Sequence, residues 1–266
     1  MSLYSPLHRA VFWFANPKRA HALAGALWRP LLGLALALAL PGLWLGFVST
    51  PADAVQGEGY RLIYLHVPAA WMSMFVFGLM ALWSGIGLVW HTRVSHLMAH
   101  ALAPTGALFA ALSLVSGAFW GRPMWGTWWV WDARLSSSLL LFFLYLGYLA
   151  LQRAHDDPVR GDRSAGLLAL LGVVNLPIIY FSVRWWNTLH QGASLTPGQS
   201  HVAMPMLVAL LLMCAAAWAY TAATALRRLQ LLIAERESQT RWLRELQAAE
   251  GLGDGTDDPL PETCHA

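Results

Sequence analysis

Six long stretches of this chain contain no Asp, Glu, Lys, Arg or His: residues 31–48, 67–90, 101–120, 135–151, 165–183 and 202–226. Each has at least 17 residues, and roughly 20 apolar residues of helix cross a bilayer. Inside lipid the backbone must satisfy its own hydrogen bonds, which leaves helices or a closed barrel. None of the stretches alternates polar and apolar residues as a barrel strand does. The reading is therefore an all-α integral membrane protein with six transmembrane helices. Only 12% of the 266 residues are charged, about half the share of a soluble domain, so a water-soluble fold is excluded.

Thirteen of the seventeen Lys and Arg residues fall on one side of these spans. The other side holds only Arg61, Arg122, Arg134 and Arg184. The positive-inside rule then puts both termini in the cytoplasm and the first, third and fifth connections outside. The basic residues flank apolar runs rather than forming a stripe, so no nucleic-acid partner is expected. Ala52-Asp53-Ala54 after the first run resembles a signal-peptidase site. The run is 18 residues long and follows a 30-residue arm, whereas a cleaved signal has a core of about 7–15 residues. It is read as a retained span. Pro68 and Pro104 are expected in the first turns of the second and third spans, and Pro177 is expected to kink the fifth.

The domain reading follows: 1–30 a cytoplasmic or interfacial N-terminal arm, 31–226 the six-helix membrane domain, 227–250 a cytoplasmic helical extension, and 251–266 a disordered acidic tail. Cys214 lies in an apolar run and Cys264 in the tail. Neither makes a disulfide framework, and Cys264-His265 lacks the second cysteine of a haem-attachment motif.

The third connection carries Trp120, Trp125, Trp128, Trp129 and Trp131, closed by Asp132, with a Trp-rich segment at 120–135. Trp at the headgroup level is ordinary. Concentration in one connection broken by Gly and Pro also fits a concave platform for a large flat ligand. Among ten histidines, only His66, His190 and His201 face outward in this topology. His66 and His190 have aromatic and apolar neighbours and share the depth of the tryptophans. They read either as interfacial histidines or as paired neutral imidazoles that ligate haem iron, with His201 a spare. His91, His96 and His100 have metal-like spacing, but no carboxylate or thiol accompanies them. There is no Gly-x-x-x-x-Gly-Lys loop, so the chain is not an ATPase. No run carries the buried charge of an ion-coupled pump. No catalytic constellation is present, and the chain is not expected to be an enzyme.

The segment WGTWWVWDARLSSSLLLFFLYLGY (125–148) resembles the "WWD" segment of haem-handling proteins in cytochrome c biogenesis. The match is to the cytochrome c maturation protein C, or haem exporter protein C, family. YRLIYLHVPAAWMSM (60–74) and GVVNLPIIYFSVRWWNTLHQG (172–192) agree with that family, and the likeness covers roughly 45–225. Longer WWD relatives carry Asp-Pro-x-Glu after the tryptophans; here Asp132-Ala133-Arg134-Leu135-Ser136 follows. Ser136 stands where the family usually has Thr.

The resemblance implies a multi-pass protein of the bacterial inner membrane. It implies haem (b-type, as a carried ligand) with axial ligands His66 and His190, and a haem platform of Trp125, Trp128, Trp129, Trp131 and Asp132. Arg61, Arg122, Arg134 and Arg184 are candidate partners of the haem propionates, or ordinary interfacial anchors. The implied function is delivery of haem to a periplasmic chaperone, cytochrome c maturation protein E. A small single-span protein D and ATP-binding-cassette proteins A and B are the implied partners, besides membrane lipid. Two alternatives are a haem permease, which would line the bundle with polar residues, and a membrane b-type electron-transfer subunit, which would place paired His at mid-span.

Overall fold

In the computed structural model, residues 14–186, 188–190, 195–196, 199–200 and 203–249 are described. His201, Cys264, residues 1–13 and the acidic tail lie outside that set. Six helical spans are long and apolar enough to cross a membrane. They comprise α1 (Pro17–Trp44), extended by a π-helical turn at Leu45–Ser49; α2 (Ile63–Trp90), preceded by a 3₁₀ turn at Glu58–Leu62; α3 (Arg93–Trp125); α4 (Ala133–Arg153); the broken pair α5 (Pro158–Gly172) and α6 (Asn175–Trp185); and α7 (Met204–Arg236). A short α8 (Arg241–Ala249) follows. Leu195–Thr196 and Gln199–Ser200 form a two-residue antiparallel pair between α6 and α7.

The helices outrun the apolar stretches that announce them. α1 begins at Pro17, where Asn16 accepts from the Arg19 amide at 3.2 Å and proline occupies a position whose N–H has no helical partner. Half of the expected N-terminal arm is thus the first turns of the first span. Pro68 and Pro104 are corrected in the same way. Their helices start at Ile63 and Arg93, so both prolines stand inside a helix rather than in its first turn. The extension after residue 226 continues α7 as far as Arg236, turns, and resumes as α8.

Pro177 interrupts the fifth span as expected. It has no N–H for the carbonyl of Val173 four residues earlier. Instead the Leu176 amide bonds that carbonyl at 3.0 Å, and the helix breaks at Val173-Val174 between α5 and α6. Asn175 is buried here and donates to the Ser137 carbonyl at 2.9 Å, tying the break to α4.

The spans form three layers. The α2–α3 hairpin is central, α1 pairs with α7 on one side, and α4 with α5 and α6 covers the other. Without a hydrophobic driving force between helices in lipid, close approach through small residues matters most. At Gly106 a Cβ would come 2.3 Å from the Tyr145 ring. The bare backbone of α3 thus admits that ring, whose hydroxyl donates to the Ser73 carbonyl at 2.7 Å. One side chain thereby joins α2, α3 and α4.

The end of the bundle that holds the α2–α3 turn is polar. Buried Asp162 meets Arg236 at 3.3 Å, and Arg93 meets Glu237 at 2.8 Å. Asp162 and Arg236 sit on helical overhangs beyond the charge-free runs, as does Arg228, which donates to Thr105 at 2.5 Å.

Candidate functional site

The opposite end of the bundle contains a cleft between the first turns of α2, the last turns of α3, and the starts of α4 and the fifth connection. His66, on α2, reaches it from one side and His190, beyond α6, from another. Their ring centroids are 6.2 Å apart with planes 33° from parallel. Two histidines 124 positions apart in the sequence, one on a helix and one in a connection, are thus brought close together.

α3 supplies the floor. Ser113, Gly117 and Gly121 recur every four residues, the helical period, and all three line the cleft. At Gly117 a Cβ would lie 2.9 Å from His66 Cε1, so the ring rests on backbone. Trp120 meets His66 edge-on at 5.7 Å and its indole N–H donates to Gln56 at 2.9 Å. Trp125 lies 6.1 Å from His190. Each imidazole therefore has its own α3 tryptophan. Trp120 was not among the expected platform residues, nor was Gln56, which the first connection brings to the rim.

The Trp-rich connection is held by its caps. α3 ends at Gly126, whose φ of 75° is a left-handed conformation suited to glycine. Arg122 donates to the Gly126 carbonyl. α4 starts from Asp132, which accepts from the Leu135 amide at 2.7 Å. Between them Trp129 lines the cleft, while Trp128 and Trp131 do not; they are 52% and 78% exposed. Trp128 packs edge-on against Phe119 and Trp131 against Trp129. The expected five-residue platform therefore divides into lining residues Trp125 and Trp129, outer residues Trp128 and Trp131, and a helix cap, Asp132. The second carboxylate oxygen of Asp132 and the indole nitrogen of Trp129 are buried without hydrogen-bond partners among the described residues.

The arginines divide as well. Arg134 lines the cleft, and its side chain forms no hydrogen bond or ion pair among the described residues, while its carbonyl accepts from Ser138 at 2.8 Å. Arg61 donates to the Gly46 and Thr50 carbonyls at 2.7 and 2.9 Å and pairs with Glu58, fastening the end of α1. Arg122 is occupied by its cap. Arg184 is exposed on the last turn of α6 and does not line the cleft.

The geometry fits one metal centre between the two rings. Two metal–imidazole bonds of about 2 Å in line through one ion put the ring centres roughly 6 Å apart. The walls are mainly indole, methionine and aliphatic carbon, with Gln56, Ser73, Ser113, Ser138 and the Arg134 guanidinium as polar groups, which suits a flat, largely apolar ligand bearing carboxylates. His91 lies instead at the other end, exposed and in a left-handed cap with φ 53°. No group of three His, Cys, Asp or Glu side chains that could hold a bare metal ion occurs among the described residues.

Six spans with a paired-imidazole cleft at one end define a polytopic membrane protein whose ligand site is built from helix ends. The family model Heme exporter protein C matches residues 10–244. The Heme exporter protein C of Haemophilus influenzae is 51% identical over 200 residues, covering 75% of this chain and 81% of its own length. That of Escherichia coli K12 is 44% identical over 251 residues, covering 92% and 97%. That of Bradyrhizobium diazoefficiens is 48% identical over 203 residues, covering 76% and 77%. The chain belongs to the Heme exporter protein C family and is, with these bacterial relatives, a multi-pass protein of the inner membrane.

Proposed function

We propose that the protein handles haem for cytochrome c maturation: it binds haem between His66 and His190 at the outer face of the inner membrane and delivers it to a periplasmic haem chaperone. The observation that carries this reading is the 6.2 Å approach of the two imidazoles within an aromatic cleft. Membership of the Heme exporter protein C family supports haem as the ligand. The outward direction rests on the thirteen-to-four split of basic residues.

His66 and His190 hold the iron. Trp120, Trp125 and Trp129 bed the macrocycle, and Arg134 receives a propionate. Trp128 and Trp131, exposed on the same connection, form the surface that the chaperone meets. The single-span protein D and the ATP-binding-cassette proteins A and B complete the assembly. They supply the ATPase that this chain lacks.

The test is the absorption spectrum of the purified protein with haem. The parent gives a six-coordinate low-spin spectrum. His66→Gly and His190→Gly each lose haem or one axial ligand, and added imidazole restores part of the spectrum. Parent spectra in both variants would end the ligand assignment. His201 would be the next candidate.

A further inference from the structure

Beside His66 stands the hydroxyl of Ser116, a residue that does not line the cleft. Its Oγ is 3.1 Å from His66 Nδ1 and 2.5 Å from the carbonyl oxygen of Leu112, one turn back on α3. A serine hydroxyl has one proton and can also accept. The Leu112 carbonyl has no proton to give, so the Ser116 proton points to it. Toward His66 the hydroxyl is then left with its lone pairs, and Nδ1 is the donor. That ring proton makes Nε2 the nitrogen with a free lone pair. Gly117, the next residue, removes the atom that would push the ring away: a Cβ there would lie 2.9 Å from Cε1 and 3.4 Å from Nδ1.

We propose that Ser116 is a positioning residue which, with Gly117 as the seat of the ring, fixes His66 as the Nδ1–H tautomer and presents Nε2 to the haem iron. This rests on the haem reading given above and extends it to two α3 residues that need not touch haem. The relay runs from His66 Nδ1–H to the Ser116 oxygen and from the Ser116 O–H to the Leu112 carbonyl. It orients the imidazole and raises its donor strength. Outer partners of ligating histidines do this in metal sites generally, and their loss costs about 10–100-fold in affinity. A hydroxyl bound to its own helix is a fixed acceptor, so the tautomer is set before haem arrives.

The test uses the full-length protein in detergent, loaded with haem, as parent, Ser116→Ala, Ser116→Thr and His66→Gly. Two quantities are read: the rate of haem loss to excess apo-globin, and the reduction potential by spectroelectrochemistry. Ser116→Ala is expected to keep a six-coordinate low-spin spectrum, to release haem about tenfold faster, and to show a raised potential because the ligand donates less. Ser116→Thr, which keeps the hydroxyl, restores both. A Ser116→Ala protein with the parent rate and potential overturns the relay while leaving the ligand assignment standing, provided His66→Gly still loses its ligand. If His66→Gly itself keeps the parent spectrum, the ligand assignment falls and the relay with it.

Discussion

The rings of His66 and His190 stand 6.2 Å apart, and each is flanked by a tryptophan of the same helix, Trp120 beside His66 and Trp125 beside His190. The two contacts lie one and a half turns apart on α3, so one rigid element gauges the distance between the rings. Aromatic contacts of this kind contribute about 0.5–1.5 kcal/mol beyond burial. Trp120→Ala and Trp125→Ala are each expected to speed haem loss by up to about tenfold without abolishing binding. Stopped-flow transfer to apo-globin measures this. Parent rates in both variants would remove the tryptophans from the site.

Trp128 and Trp131 should behave differently from Trp129. Both are exposed, and neither lines the cleft. Their replacement by alanine is expected to leave haem per protein near the parent value while chaperone-bound haem falls severalfold, since transfer steps are sensitive to small misplacements. Trp129→Ala is expected to lower both. The two haem pools can be quantified in the same cells. Normal chaperone loading in Trp128→Ala and Trp131→Ala would reduce these residues to membrane anchors.

Among the four arginines at the cleft end of the bundle the structure separates one. Arg134 is unpaired in the cleft, whereas Arg61 and Arg122 are committed to backbone carbonyls and Arg184 is exposed away from it. Arg134→Gln is expected to weaken binding of haem but not of its dimethyl ester, which lacks the carboxylates. Arg184→Gln should leave both alone. Equal losses for haem and ester in Arg134→Gln would make the arginine a packing element instead.

Orientation is testable without haem. Single cysteines at 52–58 and at 193–199, in a background with Cys214 and Cys264 replaced, are expected to react with an impermeant thiol reagent in spheroplasts. Cysteines at 157–160, which are exposed, should react only after lysis. The opposite pattern would invert the topology.

Two of the ion pairs at the polar end are unequal. Arg236→Ala strands a carboxylate, Asp162, that is only 4% exposed, and losing one partner of a buried pair costs about 3–5 kcal/mol. Arg93 has a side chain that is 60% accessible; its partner Glu237 is also buried, 8% exposed, but sits beside that open position, so the loss of Arg93 should cost less than the loss of Arg236. Thermal unfolding in detergent should rank Arg236→Ala below Arg93→Ala. Equal midpoints would contradict the burial argument.

The spans were legible because each contains a run of at least 17 residues without charge, and that signal survives error at the ends. The ends themselves were not. Ile63 and Arg93 start helices well before the apolar runs because a helix continues through headgroup and water wherever it can be capped or paired. His66 and His190 could be picked out as polar groups in aromatic company near one bundle end. The division within the Trp segment could not, because it depends on how the backbone turns between the Gly126 cap and the Asp132 cap. Trp120 and Ser116 were hidden for another reason: their roles come from the rotational register of α3 against α2. The spacing of Ser113, Gly117 and Gly121 did hold a usable signal. Small residues every fourth position mark a helix face against which something else must lie.

The interruption at Val173-Val174 also bears on how the two ends of the molecule communicate. A continuous helix passes an axial push along its length; a broken one absorbs it as rotation at the break. α5 is anchored through Asp162 at the polar end, and α6 leads the chain toward His190, but no unbroken helix connects those anchors. The fifth span is thus two shorter rods, with the break between them tied to α4 through Asn175. α2, α3 and α7 run the full depth as single rods, and α3 carries both the Arg93 contact to Glu237 and the floor under His66. The Arg93 contact and the seat of His66 thus lie on one continuous helix, whereas Asp162 and His190 lie on opposite sides of a break.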